Sequence, residues 1–186
     1  MYAFETFPRL ITRRLILREM RPEDAPALFA ILSDPEVTRY LDIPTFTEPA
    51  QAETLIARLH ASFAAKERWR WGIARASDDT LIGTGGFVRW NQGWRNAEIG
   101  YDLARSAWGQ GFMPEALSAM LAFGFDQMGL RRVEAEVVPE NEASARTLAK
   151  LGFRCEGTLR QRGYWKGAYH DLQLHGLLRE EFTPAG

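Results

Sequence analysis

The alternation of apolar and polar positions along the chain predicts strands in seven places. These segments are residues 12–19, Trp69–Ala76, Leu81–Trp90, Asn96–Leu103, Arg132–Val138, Arg154–Arg160 and His170–Leu178. In the first of them, Leu15 and Leu17 alternate with polar neighbours, as in a half-buried strand. Short turn sequences separate the second, third and fourth segments, so we expect these three to form an antiparallel meander.

Apolar residues at helical spacing predict four helices between the strands. They follow Pro22-Glu23-Asp24 up to a stop at Ser33-Asp34-Pro35, then run from about Pro49 to Lys66, from Phe112 to Met128, and from Asn141 to Leu151-Gly152-Phe153. The third is apolar around most of its circumference, which indicates burial. Gly152 suits the left-handed position that closes the fourth. This order of elements predicts a mixed α+β fold with a central sheet.

The composition fits one globular domain covering residues 1–186. Hydrophobic residues make up 46% of the 186 positions, which is enough for a substantial core. The 23 basic and 24 acidic residues give a net charge of −1. A nucleic-acid binder or a basic membrane-surface domain usually shows a basic excess, so we expect neither partner.

Cysteine and histidine usage argues against disulfide and metal chemistry. Cys155 is the one cysteine of the sequence, and the three histidines lack the spacing of a zinc site, so we expect no metal. We expect Cys155 to pack in the core rather than act as a nucleophile.

No apolar run approaches the ~20 residues of a membrane span. Glu5 and Arg9 stand where a signal peptide would be apolar, so we expect a cytoplasmic protein.

The strongest local signal is the glycine-containing segment Trp108–Glu115 between a predicted strand and a predicted helix. Glycines at such a turn let the backbone approach a ligand, and the free N–H groups at a helix start attract an anion. A phosphate or pyrophosphate is the favoured ligand, and a plain turn before a helix is the alternative. Pro114 occupies the third glycine position of a dinucleotide fingerprint, and the lysine of a P-loop is missing, so neither of those sites is expected.

Three polar residues in two segments are candidates for catalysis. Asn141 is a natural helix N-cap, and Ser144 lies three residues further on over the same face. Capping alone also explains this pair. Glu98 lies in a strand whose other face carries Ile99 and Tyr101, so its carboxylate is a candidate base beside a cleft. A solvated strand face or an ion pair is the alternative for Glu98.

Together these segments resemble the GNAT family of acetyl-CoA-dependent N-acetyltransferases, and within it the RimJ/RimL branch of ribosomal-protein N-terminal acetyltransferases. The similar segments are Thr12–Arg18 with Asp24, Ser33–Val37, Glu98–Tyr101, Asn141–Ser144, Lys150–Phe153, and Tyr169–Asp171 with Leu178 and Glu181. They occur in the family's order from nearly one end of the chain to the other. The resemblance implies the GNAT fold, a central, mostly antiparallel twisted sheet of six or seven strands flanked by about four helices.

The resemblance also implies a coenzyme A site. The family's phosphate loop, written Q/R-x-x-G-x-G/A, falls on residues 108–113, with departures at Trp108 and Met113. Since backbone N–H groups do most of the work in such a loop, we expect pyrophosphate binding to survive both departures. The implied cofactor-binding residues are Tyr101, Leu103, Trp108, Gly109, Gln110, Gly111, Phe112, Met113, Asn141 and Ser144.

The mechanism that the resemblance implies is direct transfer of an acetyl group from acetyl-CoA to an amine, without an acyl-enzyme. The pantetheine arm would lie along Tyr101–Leu103 where two strands splay apart, and a β-strand N–H there would stabilise the oxyanion. Glu98 would act as the base, directly or through water. Ser144, or a water that it holds, would protonate the departing thiolate. Asn141 would hold pantetheine or that water.

Several alternatives stay open at the level of sequence. The acceptor is a protein N-terminus or a small amine, and the protein is a monomer or a homodimer. We expect acceptor specificity to come from the two early helices, from Asp42–Glu48 and from Arg160–Tyr169. A set of tryptophans and arginines lines a pocket there or simply packs, namely Trp69, Trp71, Trp90, Trp94, Arg160, Arg162 and Trp165. The departures at Trp108 and Met113 motivate a different class of function, a CoA-binding regulatory module without catalysis.

Overall fold

The fold is a mixed α+β arrangement around one sheet, and the computed structural model describes residues 5–65 and 67–184 of it. Within these residues the eight strands are β1 (Leu10–Ile11), β2 (Leu15–Arg18), β3 (Trp69–Arg75), β4 (Leu81–Asn91), β5 (Asn96–Leu103), β6 (Arg132–Val137), β7 (Arg154–Trp165) and β8 (Ala168–Leu178). The five α-helices of the same residues are α1 (Ala25–Leu32), α2 (Pro35–Thr38), α3 (Ala50–Ala64), α4 (Phe112–Asp126) and α5 (Glu142–Lys150).

The strand order is β1-β2-β3-β4-β5-β6-β8-β7, and the pairing is antiparallel except between β5 and β6. That parallel pairing is short, because it joins only Asn96–Glu98 to Arg132–Glu134. Beyond Glu98, β5 continues along β4 as far as Leu103, while β6 follows β8. A gap therefore opens in the middle of the sheet.

Helices cover both faces of the sheet. On one face the ring of Trp71 in β3 packs edge-on against Phe123 of α4, with 5.5 Å between ring centroids. The next residue, Gly72, faces Met20 and Leu81, which belong to the core formed with α1 and α3. Because successive strand residues point to opposite faces, α1 and α3 lie on the face opposite α4. No helix in residues 5–65 or 67–184 is long and apolar enough to cross a membrane.

The predicted α+β class and the mostly antiparallel sheet are confirmed, with one strand more than expected. The additional strand, β1, has two residues, too few to show a period of two. The additional helix, α2, is a single turn that starts where the sequence predicts a stop. Asp34 Oδ1 accepts the N–H of Glu36 at 2.9 Å, and Pro35 occupies the first helical position. The second predicted helix, α3, ends at Ala64, and its predicted end, Lys66, lies outside the described residues.

The expectation that Cys155 packs in the core is wrong. Its side chain is exposed, because β7 is the last strand of the sheet and its residues 154–162 are all exposed.

The predicted burial of α4 is confirmed, since nine of its residues are buried. Gly152 ends α5 with φ +92°, and the N–H of Phe153 bonds back to the Leu148 carbonyl at 3.1 Å, as its sequence predicts.

Candidate active site

A cleft of about 720 Å³ opens where β5 and β6 diverge. Its wall includes Glu98 and Tyr101 of β5, Val137 of β6, and Asn141 and Ser144 at the start of α5. The three side chains proposed for catalysis therefore line one cavity, although they come from two elements on different sides of the gap.

Ser144 and Tyr101 join the two sides of this gap. Asn141 caps α5, and its Oδ1 accepts the N–H of Ser144 at 3.2 Å, which fixes the serine in the first turn. The Ser144 Oγ lies 2.7 Å from the Tyr101 hydroxyl. Burial raises the pKa of Tyr101 to about 12, so its hydroxyl keeps its proton at neutral pH. The sequence does not reveal this pair, because its members are 43 positions apart.

Glu98 is a half-buried carboxylate with a raised pKa. Burial is the largest cause, and the charge of Glu136 adds to it. Arg89, whose Nη1 lies 3.4 Å from a Glu98 carboxylate oxygen, opposes the shift. A bulge in β4 between Phe87 and Arg89 lies opposite Glu98 in the sheet, next to the point where β5 leaves β6. The ion pair considered at the sequence level is thus present, and the carboxylate still lines the cleft.

The segment before α4 has a backbone that leaves N–H groups available to a ligand, as its glycines predict. Gly109 and Gly111 have φ angles of +72° and +76°, and Gly111 is the N-cap of α4. Among the described residues, no carbonyl or side chain accepts a hydrogen bond from the backbone N–H groups of residues 109–113. Unpaired N–H groups at the positive end of a helix dipole form an anion site.

Arg14 of the segment before β2 holds this loop from outside. Its Nη1 donates to the Gln110 carbonyl at 2.9 Å, and its Nε donates to Glu115 of α4 at 2.7 Å. Its guanidinium also lies 4.5 Å from the centre of the Phe112 ring. Arg14 lies in a predicted strand and in the opening segment that resembles the family, but no local pattern in the sequence links it to a loop almost a hundred residues away.

The two residues that depart from the family's loop motif, Trp108 and Met113, both make contacts within the fold. Trp108 donates its ring N–H to the carbonyl of Leu103 at 2.8 Å, which ties the loop to the end of β5. Met113 is 7% exposed and belongs to the core beneath α4. The side chain of Leu103 is also buried, so its own expected contribution is limited to its backbone.

The rest of the cleft wall comes from the segments expected to select the acceptor. Asp42 follows α2, and Arg162 and Trp165 belong to β7. Two contacts link the parts of this wall, since the Tyr40 hydroxyl donates to the Glu140 carbonyl at 3.2 Å and Lys166 donates to the Thr38 carbonyl. The other tryptophans considered lie elsewhere. Trp69 and Trp71 are in the core, Trp90 packs on Trp69, and Trp94 is 79% exposed.

Comparison with known proteins gives one consistent result. A family model described as an acetyltransferase (GNAT) domain matches residues 14–154. The uncharacterized N-acetyltransferase YoaA of Bacillus subtilis is 42% identical over 173 residues, which cover 93% of this chain and 98% of YoaA. The chain therefore belongs to the GNAT acetyltransferase family, and the protein is an acetyltransferase.

Solved structures agree with this assignment. A GNAT-family acetyltransferase from Bacillus anthracis has a TM-score of 0.84 at 25% identity, over 94% of this chain and 100% of that one. RimL, a ribosomal L7/L12 α-N-protein acetyltransferase solved in complex with coenzyme A, has a TM-score of 0.83 at 22% identity. The match to RimL covers 92% of this chain and 98% of RimL, and at that identity it shows the shared fold.

Proposed function

We propose that this protein transfers an acetyl group from acetyl-CoA directly to a primary amine, without an acyl-enzyme. The observation that carries the proposal is the gap between β5 and β6. The half-buried Glu98 lies on its β5 side, and Ser144 of α5 reaches across it to the hydroxyl of Tyr101 in β5. The N-acetyltransferase name of YoaA and the coenzyme A complex of RimL support the same reaction.

The residues present fit coenzyme A. The free N–H groups of residues 109–113 suit a pyrophosphate. From Ile99 to Leu103, β5 has a strand partner on the β4 side alone, so its other edge is available to the amides of a pantetheine arm. Acetyl-CoA would supply an acetyl group activated as a thioester.

Glu98 would accept a proton from the amine. An amine attacks in its neutral form, and an α-amine (pKa ~8) reaches that form far more readily than a lysine (pKa ~10.4). A carboxylate whose pKa is raised by burial is a better proton acceptor than an exposed one. Glu98 would therefore act either directly on the amine or through one water.

Ser144 would donate a hydrogen bond to the sulfur of the leaving group, whose thiol pKa resembles that of cysteine at ~8.5. Tyr101, which stays protonated, can donate to the Ser144 Oγ in turn and leave the serine hydrogen free to point at the sulfur. Asn141 would keep Ser144 in place through the cap, and its amide nitrogen would hold pantetheine or a water.

The acceptor would be a protein N-terminus or a small amine, and the ribosomal-protein substrate named for RimL supports the former. The regulatory module suggested by Trp108 and Met113 has no observation in its favour, because both side chains have structural partners that account for them.

A thermal-shift experiment tests the donor, with acetyl-CoA, CoA, ATP and NADH compared side by side. A ligand at ~100 times its Kd stabilises by ~2.7 kcal/mol, which for a chain of this size is a rise in Tm of roughly 5–11 °C. We expect this rise with acetyl-CoA and CoA alone. A chain that shows no shift with either would contradict the proposal. Thiol release on a panel of amines then tests transfer, and binding without release on any amine would favour the regulatory module.

A further inference from the structure

Arg70 of β3 is a half-buried arginine in the cleft wall whose guanidinium is fixed at two of its three nitrogens. Its Nε donates to Thr84 Oγ1 at 2.8 Å, and its Nη2 donates to Asp102 Oδ2 at 2.5 Å. Thr84 donates to the same carboxylate oxygen at 2.6 Å. Because the guanidinium is planar, these contacts also fix the direction of the third nitrogen, Nη1.

The Nη1 of Arg70 has no acceptor in the part of the chain that the structure describes. It lies over Gly100 of β5, 3.8 Å from the point where a Cβ on that glycine would be. Gly100 is two residues from Glu98 on the same face of the strand, a separation of about 6.6 Å along the strand. A free, oriented donor thus lies near the proposed base.

A second arginine, Arg18, provides a comparison, because its guanidinium has a purely structural role and lies buried within the fold. Arg18 uses all three nitrogens, with two bonds to the Asp24 carboxylate at 2.7 and 2.9 Å and one to Asp79 Oδ1 at 2.8 Å. Its Nη1 and Nη2 each donate to a backbone carbonyl as well. The chain saturates the donors of Arg18 and leaves one nitrogen of Arg70 open to the cleft.

The other charges of the cleft wall also favour an anion. The lining arginines are Arg58, Arg68, Arg70, Arg89 and Arg162, and the lining acids are Asp42, Glu98, Asp102 and Glu136. Three ion pairs join Arg70 to Asp102, Arg89 to Glu98 and Arg162 to Glu136. Within the described residues, Arg58 and Arg68 have no carboxylate partner. Guanidinium groups bind carboxylates strongly and with defined geometry.

We propose that the acceptor amine carries a carboxylate close to the amine, and that Arg70 binds this carboxylate through Nη1, with Arg58 and Arg68 adding positive charge. This inference rests on the proposed function, since it names the acceptor of the same site. The carboxylate can belong to an acidic residue next to a protein N-terminus or to a free amino-acid-like molecule. The two sources share their chemistry and differ in size.

Matched acceptors that differ only in charge test the proposal with the wild-type protein. One pair is the amidated peptides Ala-Glu-Ala-Ala and Ala-Gln-Ala-Ala, and the other is glutamic acid α-amide and glutamine α-amide. For each pair, kcat/KM is measured with acetyl-CoA, and binding to the CoA-loaded protein is measured by calorimetry. We expect the acid of at least one pair to exceed its amide at least tenfold in both measurements. The pair that shows the difference identifies the source.

Variants assign the preference to the arginines. We expect Arg70→Gln to bring the acid-to-amide ratio close to one, mainly through the KM of the acid, and Arg58→Gln with Arg68→Gln to lower it about threefold. Arg70→Gln strands a buried carboxylate, so the double variant Arg70→Gln with Asp102→Asn provides a second test without that charge. Arg75→Gln changes a partly exposed arginine of the same strand that lies outside the cleft. It is the matched control and should leave the ratio unchanged.

The outcomes separate this inference from the proposed function. Equal turnover and binding of acid and amide would overturn the inference and leave the acetyltransferase reaction intact. A binding preference for the acid without turnover would support the inference while the proposed reaction fails. If neither acid binds better than its amide to the CoA-loaded protein, or if Arg70→Gln leaves the ratio unchanged, the inference is wrong.

Discussion

The cleft has two halves that are built from different parts of the chain. The donor half, defined here as residues 108–113 and the free edge of β5, presents backbone N–H and carbonyl groups. The acceptor half, defined here as the side chains of Glu98, Arg89 and the Arg70 network, presents charged groups held by one another. The difference implies that the donor half tolerates changes of side chain, while single substitutions in the acceptor half alter catalysis and specificity.

The largest effect in the donor half should come from a change that moves its backbone. We expect Gly111→Val to weaken CoA binding by at least about 100-fold, because a β-branched residue is strained at φ +76° and the free N–H groups would turn away. Calorimetry with CoA measures this. Gly129→Val, at φ +65° beyond the other end of α4, is the matched control for the strain of about 1–2 kcal/mol. Equal CoA affinity of the two variants would contradict the assignment of the loop.

In the acceptor half, the largest effect should come from the proposed base. We expect Glu98→Gln to lower kcat/KM by about 100-fold or more, within the range of general-base catalysis, with CoA affinity unchanged. Steady-state kinetics on the best acceptor measures the first quantity and calorimetry the second. Glu134→Gln removes a neighbouring carboxylate from β6, outside the cleft lining, and should stay within a few-fold of wild type. Comparable losses in both variants would argue against a specific role for Glu98.

Removal of the Ser144 hydroxyl should have a smaller effect. Loss of one hydrogen bond to the leaving sulfur corresponds to about a tenfold lower kcat for Ser144→Ala, with the Kd of acetyl-CoA nearly unchanged. Tyr101→Phe should change kcat in the same direction. Thr147→Ala removes an exposed hydroxyl from the same helix, where it bonds to the Ala143 carbonyl, and serves as the control. Unaltered turnover of Ser144→Ala would exclude the serine as the hydrogen-bond donor.

The pH dependence of kcat/KM tests whether Glu98 is the group whose titration controls activity. Because burial raises its pKa, the acid limb of kcat/KM should lie above the range of an exposed glutamate, and activity should fall as pH drops through it. Arg89 opposes this rise, so Arg89→Gln should move the limb to higher pH. Glu136→Gln should move it to lower pH. A limb that stays in place in both variants would mean that another group is titrating.

The two halves also differ in how much of them the sequence predicts. The donor half follows from local signals, since the glycines at 109 and 111 and the following helix start are adjacent in the chain. The order of strands and helices was likewise predictable, because periodicity is a local property. A two-residue strand, a one-turn helix and the exposure of Cys155 were not, because they depend on length and on which strand ends the sheet.

The acceptor half was predictable only in part. Its proposed base, Glu98, stands out in a short motif, as do Asn141 and Ser144 across the gap, and the structure brings all three to one cleft. The orientation of the Arg70 guanidinium depends on its hydrogen bonds to Thr84 and Asp102. These residues are 14 and 32 positions away in the sequence, and neighbouring strands bring them to Arg70. No periodicity or spacing encodes such a contact, so residues that select an acceptor are hidden in a single sequence while residues that hold a phosphate are visible.

The smallest expected effect tests whether the donor half is truly a backbone site. Trp108→Phe keeps an aromatic ring but removes the N–H that donates to the Leu103 carbonyl. Since that bond is worth about 1 kcal/mol and holds the loop indirectly, we expect CoA affinity to fall less than about fivefold. Arg75→Gln, outside the cleft, again provides the baseline. A loss as large as that of Gly111→Val would show that the indole itself binds the cofactor, and the distinction between the two halves would fail at this residue.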